Sequence, residues 1–312
     1  MRIAIFGSGG VGGYFGGRLA QAGHSVAFLA RGVHLDAIRR DGLTVESLAG
    51  DFAIKPAEAT ASPREVGPVD AVLICVKAWQ VPEAAAALGP LLGSLTCVVP
   101  LVNGVEACDQ LAAAIGAERV LGGLCRIVAF IVSPGRIRHA AIQPSIELGE
   151  RNGRPSARAA VLAEALARAP GVEATIPDDI EAAIWEKFLF IAPFSGVGAV
   201  TRQPAGAFRH VPETRAMLRA AMEEVLELAR ARGVRLGSDS VERTLRFTDA
   251  LPAEATASMQ RDILEGRPSE LEAQNGAIVR LARESGVSVP VNESIYRSLL
   301  PAELRAREAA AR

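Results

Sequence analysis

The sequence predicts an α/β domain built on a doubly wound, mostly parallel sheet, followed by an all-α domain. Three observations carry this. Apolar strand-like runs alternate with Ala/Leu-rich helical stretches in the first half, a glycine-rich turn stands between the first strand and the first helix, and long amphipathic helices take over after Pro177. Strands that are apolar throughout and alternate with helices describe a parallel sheet covered on both faces.

The expected strands are residues 2–7, 25–30, 71–76, 96–102 and 120–132, with helices at 10–22, 33–40, 79–92 and 105–116. Short β segments at 43–47 and 51–56 flank Ala49-Gly50 and read as a hairpin insertion. A further β-rich group (127–132, 136–141, 145–149 and 172–176) closes this half. In the second half, Leu218, Met222, Val225 and Leu228 recur at helical spacing over 212–232. Residues 268–285 repeat the pattern, with Pro268 and Ser269 opening a helix and Gly286 stopping it. The last residues, from Arg305, are expected to fray. The expected domains are 1–177, binding the cofactor, and 178–312, helical, with the site in the cleft between them.

With 49% hydrophobic and 22% charged residues, the 312-residue chain can bury a substantial core. Its 34 Lys and Arg nearly cancel 35 Asp and Glu, which argues against a nucleic-acid or anionic-membrane surface. Cys75, Cys97, Cys108 and Cys125 form no CxxC and read as buried thiols in a reducing cytoplasm. A strand begins at residue 2, leaving no room for a signal peptide. Residues 84–102 are uncharged, but Gly89-Pro90, Gly93-Ser94 and Pro100 break them into a helix end, a turn and a buried strand. The expectation is a soluble, cytoplasmic protein.

Gly7-Ser8-Gly9-Gly10-Val11-Gly12 is a GxGxxG turn directly after a strand and before a helix. In that context its glycines serve a tight turn, close approach of a pyrophosphate and close helix–strand packing, and the helix N-terminus offers free N–H groups to phosphate. The plain structural alternative is a glycine-rich turn without a ligand. A chain that binds NAD places an acid about 20 residues further on, at the end of the second strand. Here that strand ends FLARG, and Arg31 stands at or beside the position. A guanidinium suits a 2′-phosphate, so NADPH is favoured over NADH; the alternative is an exposed arginine at a strand end. Lys77 and Asn103 also follow strands at the edge where doubly wound sheets bind ligands. Lys77 could touch cofactor phosphate or ribose, and Asn103 could orient nicotinamide and substrate, although Asn-Gly is also an ordinary turn pair.

These residues, with LARG and His34-Leu35 (29–35), VKAWQ (76–80), LVNGVE (101–106), WEKF (185–188), SMQRDILEGRPSELE (258–272) and GVSVPVN (286–292), resemble the ketopantoate reductase (2-dehydropantoate 2-reductase) family over nearly the whole chain. The resemblance implies NADPH-dependent reduction of a 2-keto acid in pantothenate biosynthesis. It also implies a Rossmann-type domain joined to a helical domain of the 6-phosphogluconate dehydrogenase C-terminal type, and, from family habit, a homodimer. It makes Lys187 the proton donor, sets Asn103 beside nicotinamide and substrate, has Lys77 and Arg31 touch NADPH, gives Ser258 to the substrate, and puts Glu270 near lysine, substrate and cofactor ribose. Physically, hydride addition creates an alkoxide that a positioned acid must neutralise, and a lysine in an apolar wall can have its pKa lowered toward neutrality. The structural alternatives are a lysine that snorkels from a core helix and a Glu270 that sits in a helix's first turn. The four histidines (24, 34, 139 and 210) show no metal spacing and read as surface or turn residues.

The chain departs from the family at Ile191 and Ser195, one and two helical turns beyond Lys187, where family members present asparagines to the substrate. Amides there can bond a small polar keto acid, and isoleucine cannot. Three readings stay open: a 2-keto-acid reductase, acting on ketopantoate or a more apolar keto acid; a β-hydroxyacid dehydrogenase relative working oxidatively; and a non-catalytic NADPH sensor.

Overall fold

The structure is a computed structural model that describes residues 1–311, so Arg312, the expected end of the second domain, lies outside the described residues. The chain separates into two compact units: Met1–Val102 with Ala107–Ala183, and Asn103–Glu106 with the chain from Ile184 onward.

The first unit holds strands β1 (Arg2–Phe6), β2 (Ser25–Leu29), β3 (Leu43–Ser47), β4 (Phe52–Ile54), β5 (Glu58–Thr60), β6 (Val69–Ile74), β7 (Leu92–Pro100), β8 (Gly122–Ser133), β9 (Arg136–Gly149) and β10 (Glu173–Thr175). Its helices are α1 (Gly10–Gln21), α2 (Gly32–Asp41), α3 (Pro63–Val66), α4 (Val81–Ala87), α5 (Ala107–Ile115) and α6 (Ala157–Ala167). One sheet runs β5-β2-β1-β6-β7 with every pair parallel. The chain builds outward from β1 to β2 and β5, then returns to β6 and β7 on the other side. The carboxyl end of β1 is therefore the point where strand order reverses, the place such sheets bind ligands. Ile3, Ile5, Phe28, Leu73 and Val99 fill the core, with Phe15 and Leu19 of α1 packed among them. Glycines let α1 lie close to the sheet: a Cβ on Gly16 would stand 2.6 Å from Ile5 Cγ1.

Several expectations are corrected. The run 120–132, read as a strand of the parallel sheet, meets that sheet only at its start, where Val120 bridges Val98 of β7 in parallel; from Gly122 it is β8, which pairs antiparallel with β9 in a second sheet ordered β10-β9-β3-β4. The β3–β4 hairpin forms, yet it joins this second sheet through β3 and β9. Arg18 fixes it: the buried guanidinium lies 4.1 Å from the centre of the Phe52 ring and donates to the carbonyls of Ala49 and Gly50 at 3.2 and 2.8 Å. The helix expected over 79–92 divides into α4 between the 3₁₀ turns Ala78–Gln80 and Gly89–Leu91, since Pro90 cannot donate a backbone bond.

Helix α7 (Ile180–Thr201) begins in the first unit and runs into the second, which adds α8 (Ala205–His210), α9 (Pro212–Ala231), α10 (Ser240–Ala250), α11 (Ser258–Leu264), α12 (Ala277–Ser285) and α13 (Pro290–Ala310). By length and composition α7 could cross a membrane, but 67% of its apolar window is buried inside the protein, as in a core helix. Leu218, Met222, Val225 and Leu228 of α9 are buried, and α12 stops at Gly286 with φ +68°. The helix expected from Pro268 starts later, with a π-turn at Glu272–Gly276. Its opening is displaced because the Ser269 N–H and hydroxyl donate to the buried carboxylate of Glu303 on α13, at 3.0 and 2.5 Å. The same contact reaches into the stretch expected to fray. Arg307 pairs with Glu303 at 2.7 Å and donates to the Ser269 carbonyl at 2.9 Å, and the chain stays helical through Ala310.

Candidate functional site

In the first unit, the glycine turn leaves β1 with Gly7 at φ +99°, a left-handed conformation that favours glycine. The N–H groups of Gly7 and Ser8 both donate to the Leu29 carbonyl at 3.1 Å, tying the turn to the end of β2. The glycines then divide their roles. A Cβ on Gly12 would stand 2.1 Å from the Gly7 carbonyl oxygen, and one on Gly10 would stand 2.2 Å from the Ala129 carbonyl oxygen. At Gly9 a Cβ would meet nothing within 4 Å, so no packing inside the protein demands that glycine. Gly9 caps α1 without a side-chain hydrogen bond, and no acid stands in the first turn. The N–H groups of the first turn, those of Gly10, Val11 and Gly12, therefore lack intrahelical acceptors and suit an anion.

His34, expected to be a surface or turn residue, is half-buried and braces this turn. Gly135 N–H donates to its Nδ1 at 3.1 Å, so the proton sits on Nε2, which donates to the Ser8 carbonyl at 2.8 Å. His139 is corrected: it is buried, with Nδ1 at 3.0 Å from Ser47 Oγ. Arg31 stands two residues beyond the end of β2 and caps α2; its exposed guanidinium pairs with Glu83 at 2.6 Å. Lys77 follows β6 and opens a 3₁₀ turn; its backbone N–H donates to Gln80 Oε1 at 3.2 Å and its ammonium lies 5.7 Å from the Trp79 ring centre. The structure thus sets the turn, Arg31 and Lys77 at the carboxyl ends of β1, β2 and β6, which are sheet neighbours.

In the second unit, Asn103 Nδ2 donates to Glu270 Oε2 at 2.9 Å. Glu270 is buried, and Asn103 is half-buried. The following residue, Gly104, has φ +101° and would carry a Cβ 2.7 Å from the Ala273 carbonyl, so the Asn-Gly turn is pressed against the segment after Glu270. A second clasp holds the same pieces: Arg280 donates to Glu106 at 2.8 Å and to Glu272 at 3.1 Å, while Tyr296 donates to Glu272 at 2.6 Å. Burial and that bond push the Tyr296 hydroxyl up to about 12, so it remains a donor at neutral pH.

Lys187, Ile191 and Ser195 stand at intervals of four residues on α7 and share a face. Lys187 and Ile191 are half-buried and Ser195 is fully buried. Ser258 is the first residue of α11. Glu270 precedes the helix, and its carbonyl accepts from Ala273 and Gln274 at 3.1 and 3.0 Å.

Sequence reading missed Gln274, Asn275 and Arg280. A signal for Gln274 existed: Leu271, Gln274, Ile278 and Leu281 are spaced as a core stripe and all are buried, Gln274 being its one polar member. Burial pushes the Cys97 and Cys108 thiols up to about 11 and about 12, leaving them unsuited as nucleophiles. Among the described residues, no group of three His, Cys, Asp or Glu could hold a metal ion.

Residues 3–153 match the family described as ketopantoate reductase PanE/ApbA, and residues 179–303 match its C-terminal counterpart. The uncharacterized oxidoreductase YkpB of Bacillus subtilis is 30% identical over 299 residues, covering 96% of this chain and 98% of that protein. A 2-dehydropantoate 2-reductase of Mesorhizobium japonicum is 32% identical over 316 residues, covering 95% of each. The crystal structure of a 2-dehydropantoate 2-reductase from Geobacter metallireducens superposes with a TM-score of 0.90 at 33% identity, covering 97% of this chain and all of the other.

Proposed function

The chain belongs to the ketopantoate reductase PanE/ApbA family, and from that premise we propose that it uses NADPH to reduce a 2-keto acid, 2-dehydropantoate, to the 2-hydroxy acid pantoate in pantothenate biosynthesis. The observation that carries this reading is the bond from Asn103 to Glu270, which joins two polar residues 167 positions apart in the unit that also contains Lys187 and Ser258.

The residues present fit a dinucleotide. Gly9 leaves open space at its Cβ position, and the uncapped start of α1 offers N–H groups to a pyrophosphate. Arg31 takes the 2′-phosphate, releasing Glu83, since an exposed ion pair contributes only about 0–1 kcal/mol. Lys77 adds a positive charge at the phosphates or ribose. When bound, the reduced nicotinamide supplies the hydride. Asn103 orients nicotinamide and substrate through its amide, which Glu270 holds in place. Ser258 binds the substrate. Lys187 gives a proton from its ammonium to the developing alkoxide: an N–H bond breaks, an O–H bond forms, and the resulting neutral amine is reprotonated from solvent. Glu270 favours the charged lysine. Cofactor binding is assigned to residues 1–177 and catalysis to 178–312, in a cytoplasmic enzyme.

A second reading rests on Ile191. An apolar, half-buried residue one turn beyond Lys187 favours a keto acid with a more apolar side chain. Spectrophotometric NADPH oxidation with a panel of 2-keto acids tests both. Fastest turnover of 2-dehydropantoate supports the first reading and fastest turnover of an unhydroxylated keto acid the second. Tight NADPH binding without turnover of any keto acid contradicts both and leaves a sensor.

A further inference from the structure

Gln274 is fully buried, and neither its Oε1 nor its Nε2 has a hydrogen-bond partner. Ser195 Oγ and Asn275 Oδ1 are also buried without partners. An unpaired buried amide is costly, and native folds leave few, so each calls for a partner outside the fold's own bonding. The Asn275 side-chain atoms lie 2.9 and 3.0 Å from the Cβ position of Gly196, so the residue after Gln274 packs on the residue after Ser195 in α7. Gln274 lies in a π-turn, with Gly276 N–H bonded to the Leu271 carbonyl at 2.9 Å, and such turns often occur where function demands a displaced side chain.

The position relative to the proposed catalytic residues gives the unpaired groups a purpose. Ser195 is two turns beyond Lys187 on one helix face, and the Gln274 N–H bonds to the carbonyl of Glu270. Along α7 the shared face presents a cation, then an apolar side chain, then a hydroxyl: Lys187, Ile191, Ser195. The carbon skeleton of 2-dehydropantoate has the matching order: the reacting ketone, a carbon bearing two methyl groups, and a terminal hydroxyl.

We propose that Gln274 is a specificity-determining residue, its amide joining the Ser195 hydroxyl to bond an uncharged terminal hydroxyl of the keto acid, with Ile191 against the branched carbon before it. This rests on the keto-acid reductase reading and adds the substrate's far end to it. Both groups can donate and accept, so they suit a hydroxyl and offer no charge to a second carboxylate.

The test compares 2-dehydropantoate with 3,3-dimethyl-2-oxobutanoate, which has the same branched skeleton without the hydroxyl, using wild type, Gln274→Leu and Ser195→Ala. Wild type is expected to prefer the hydroxylated substrate in kcat/KM. Gln274→Leu should lower that preference tenfold or more, acting on the hydroxylated substrate and sparing the other. Its Tm should be unchanged or higher, because an apolar side chain of similar size removes an unpaired buried amide. Ser195→Ala should shift the preference the same way and provides an independent variant. An unchanged preference in both variants overturns the proposal while leaving the reductase reading intact. Failure of wild type to turn over either keto acid overturns both.

Discussion

Asn103 and Glu270 meet at 2.9 Å, the amide of one donating to the buried carboxylate of the other. The bond determines what each residue can do: Glu270 fixes which way the Asn103 amide faces, leaving its carbonyl oxygen as an acceptor. Replacing Asn103 with Ala removes one donor from a buried carboxylate, a loss of about 1–3 kcal/mol in stability. Asn103→Asp sets two carboxylates together, one of which must hold a proton. The aspartate variant should therefore melt below the alanine variant at pH 8, with the gap narrowing at pH 5, while kcat/KM falls at least tenfold in both. Thermal unfolding of the two variants at the two pH values checks this.

The glycine turn allows a cleaner separation of folding from binding. Gly12→Ala forces a Cβ to 2.1 Å from a backbone oxygen, and such overpacking typically costs about 1–3 kcal/mol. Gly9→Ala meets nothing within 4 Å in the protein and should leave Tm unchanged. It should nonetheless weaken NADPH binding tenfold or more, because its methyl group enters the space assigned to the pyrophosphate. Calorimetric titration of NADPH into both variants, with their melting curves, makes the comparison.

Arg31 discriminates between cofactors in the proposed reading. Arg31→Ala should raise KM for NADPH about tenfold or more, the loss of a charge-assisted bond, and leave KM for NADH nearly unchanged. Its exposed pair with Glu83 is too weak for the change to register in Tm. Equal affinity of the wild type for the two cofactors would remove the role given to Arg31.

Acid stability has a local source in the first unit. Glu150 accepts two bonds from Arg158 at 2.7 Å each, which hold its carboxyl below the ordinary glutamate range. A depressed folded pKa contributes stability above the unfolded value, lost as pH falls through the folded one. The wild type should lose stability as pH falls from about 5, and Glu150→Gln, less stable at neutral pH, should show a shallower fall over the same range. Denaturation followed from pH 7 to pH 3 reads both slopes.

The parallel sheet and the cofactor turn were legible because each rests on local pattern: apolar runs, a glycine fingerprint and a strand ending at Arg31. The second sheet was not, since β8 opens as an apolar run like the parallel strands, and only its pairing with the more polar β9 reveals that the two run antiparallel. The delayed start of the helix near Glu270 was hidden for a related reason. Pro268 and Ser269 carry ordinary start signals, and Glu303, 34 residues away, draws off the serine's bonds. At the site, Lys187 stood out as a cation in an apolar run, and Ile191 and Ser195 came from the family resemblance, as the places one and two turns on where family members present asparagines. Gln274 was overlooked because a glutamine in a helical stripe attracts notice only once it is known to be buried and unpaired.

In the proposed reaction Lys187 delivers the proton in NADPH-dependent reduction of 2-dehydropantoate. Its most direct measurement is NADPH oxidation with that substrate by wild type and Lys187→Ala, alongside NADPH titration of both. The wild type is expected to form pantoate in step with NADPH consumed, and the variant to lose a hundredfold or more in kcat with cofactor affinity preserved. A variant that keeps full kcat, or a wild type that binds NADPH tightly and leaves 2-dehydropantoate unreduced, would contradict it.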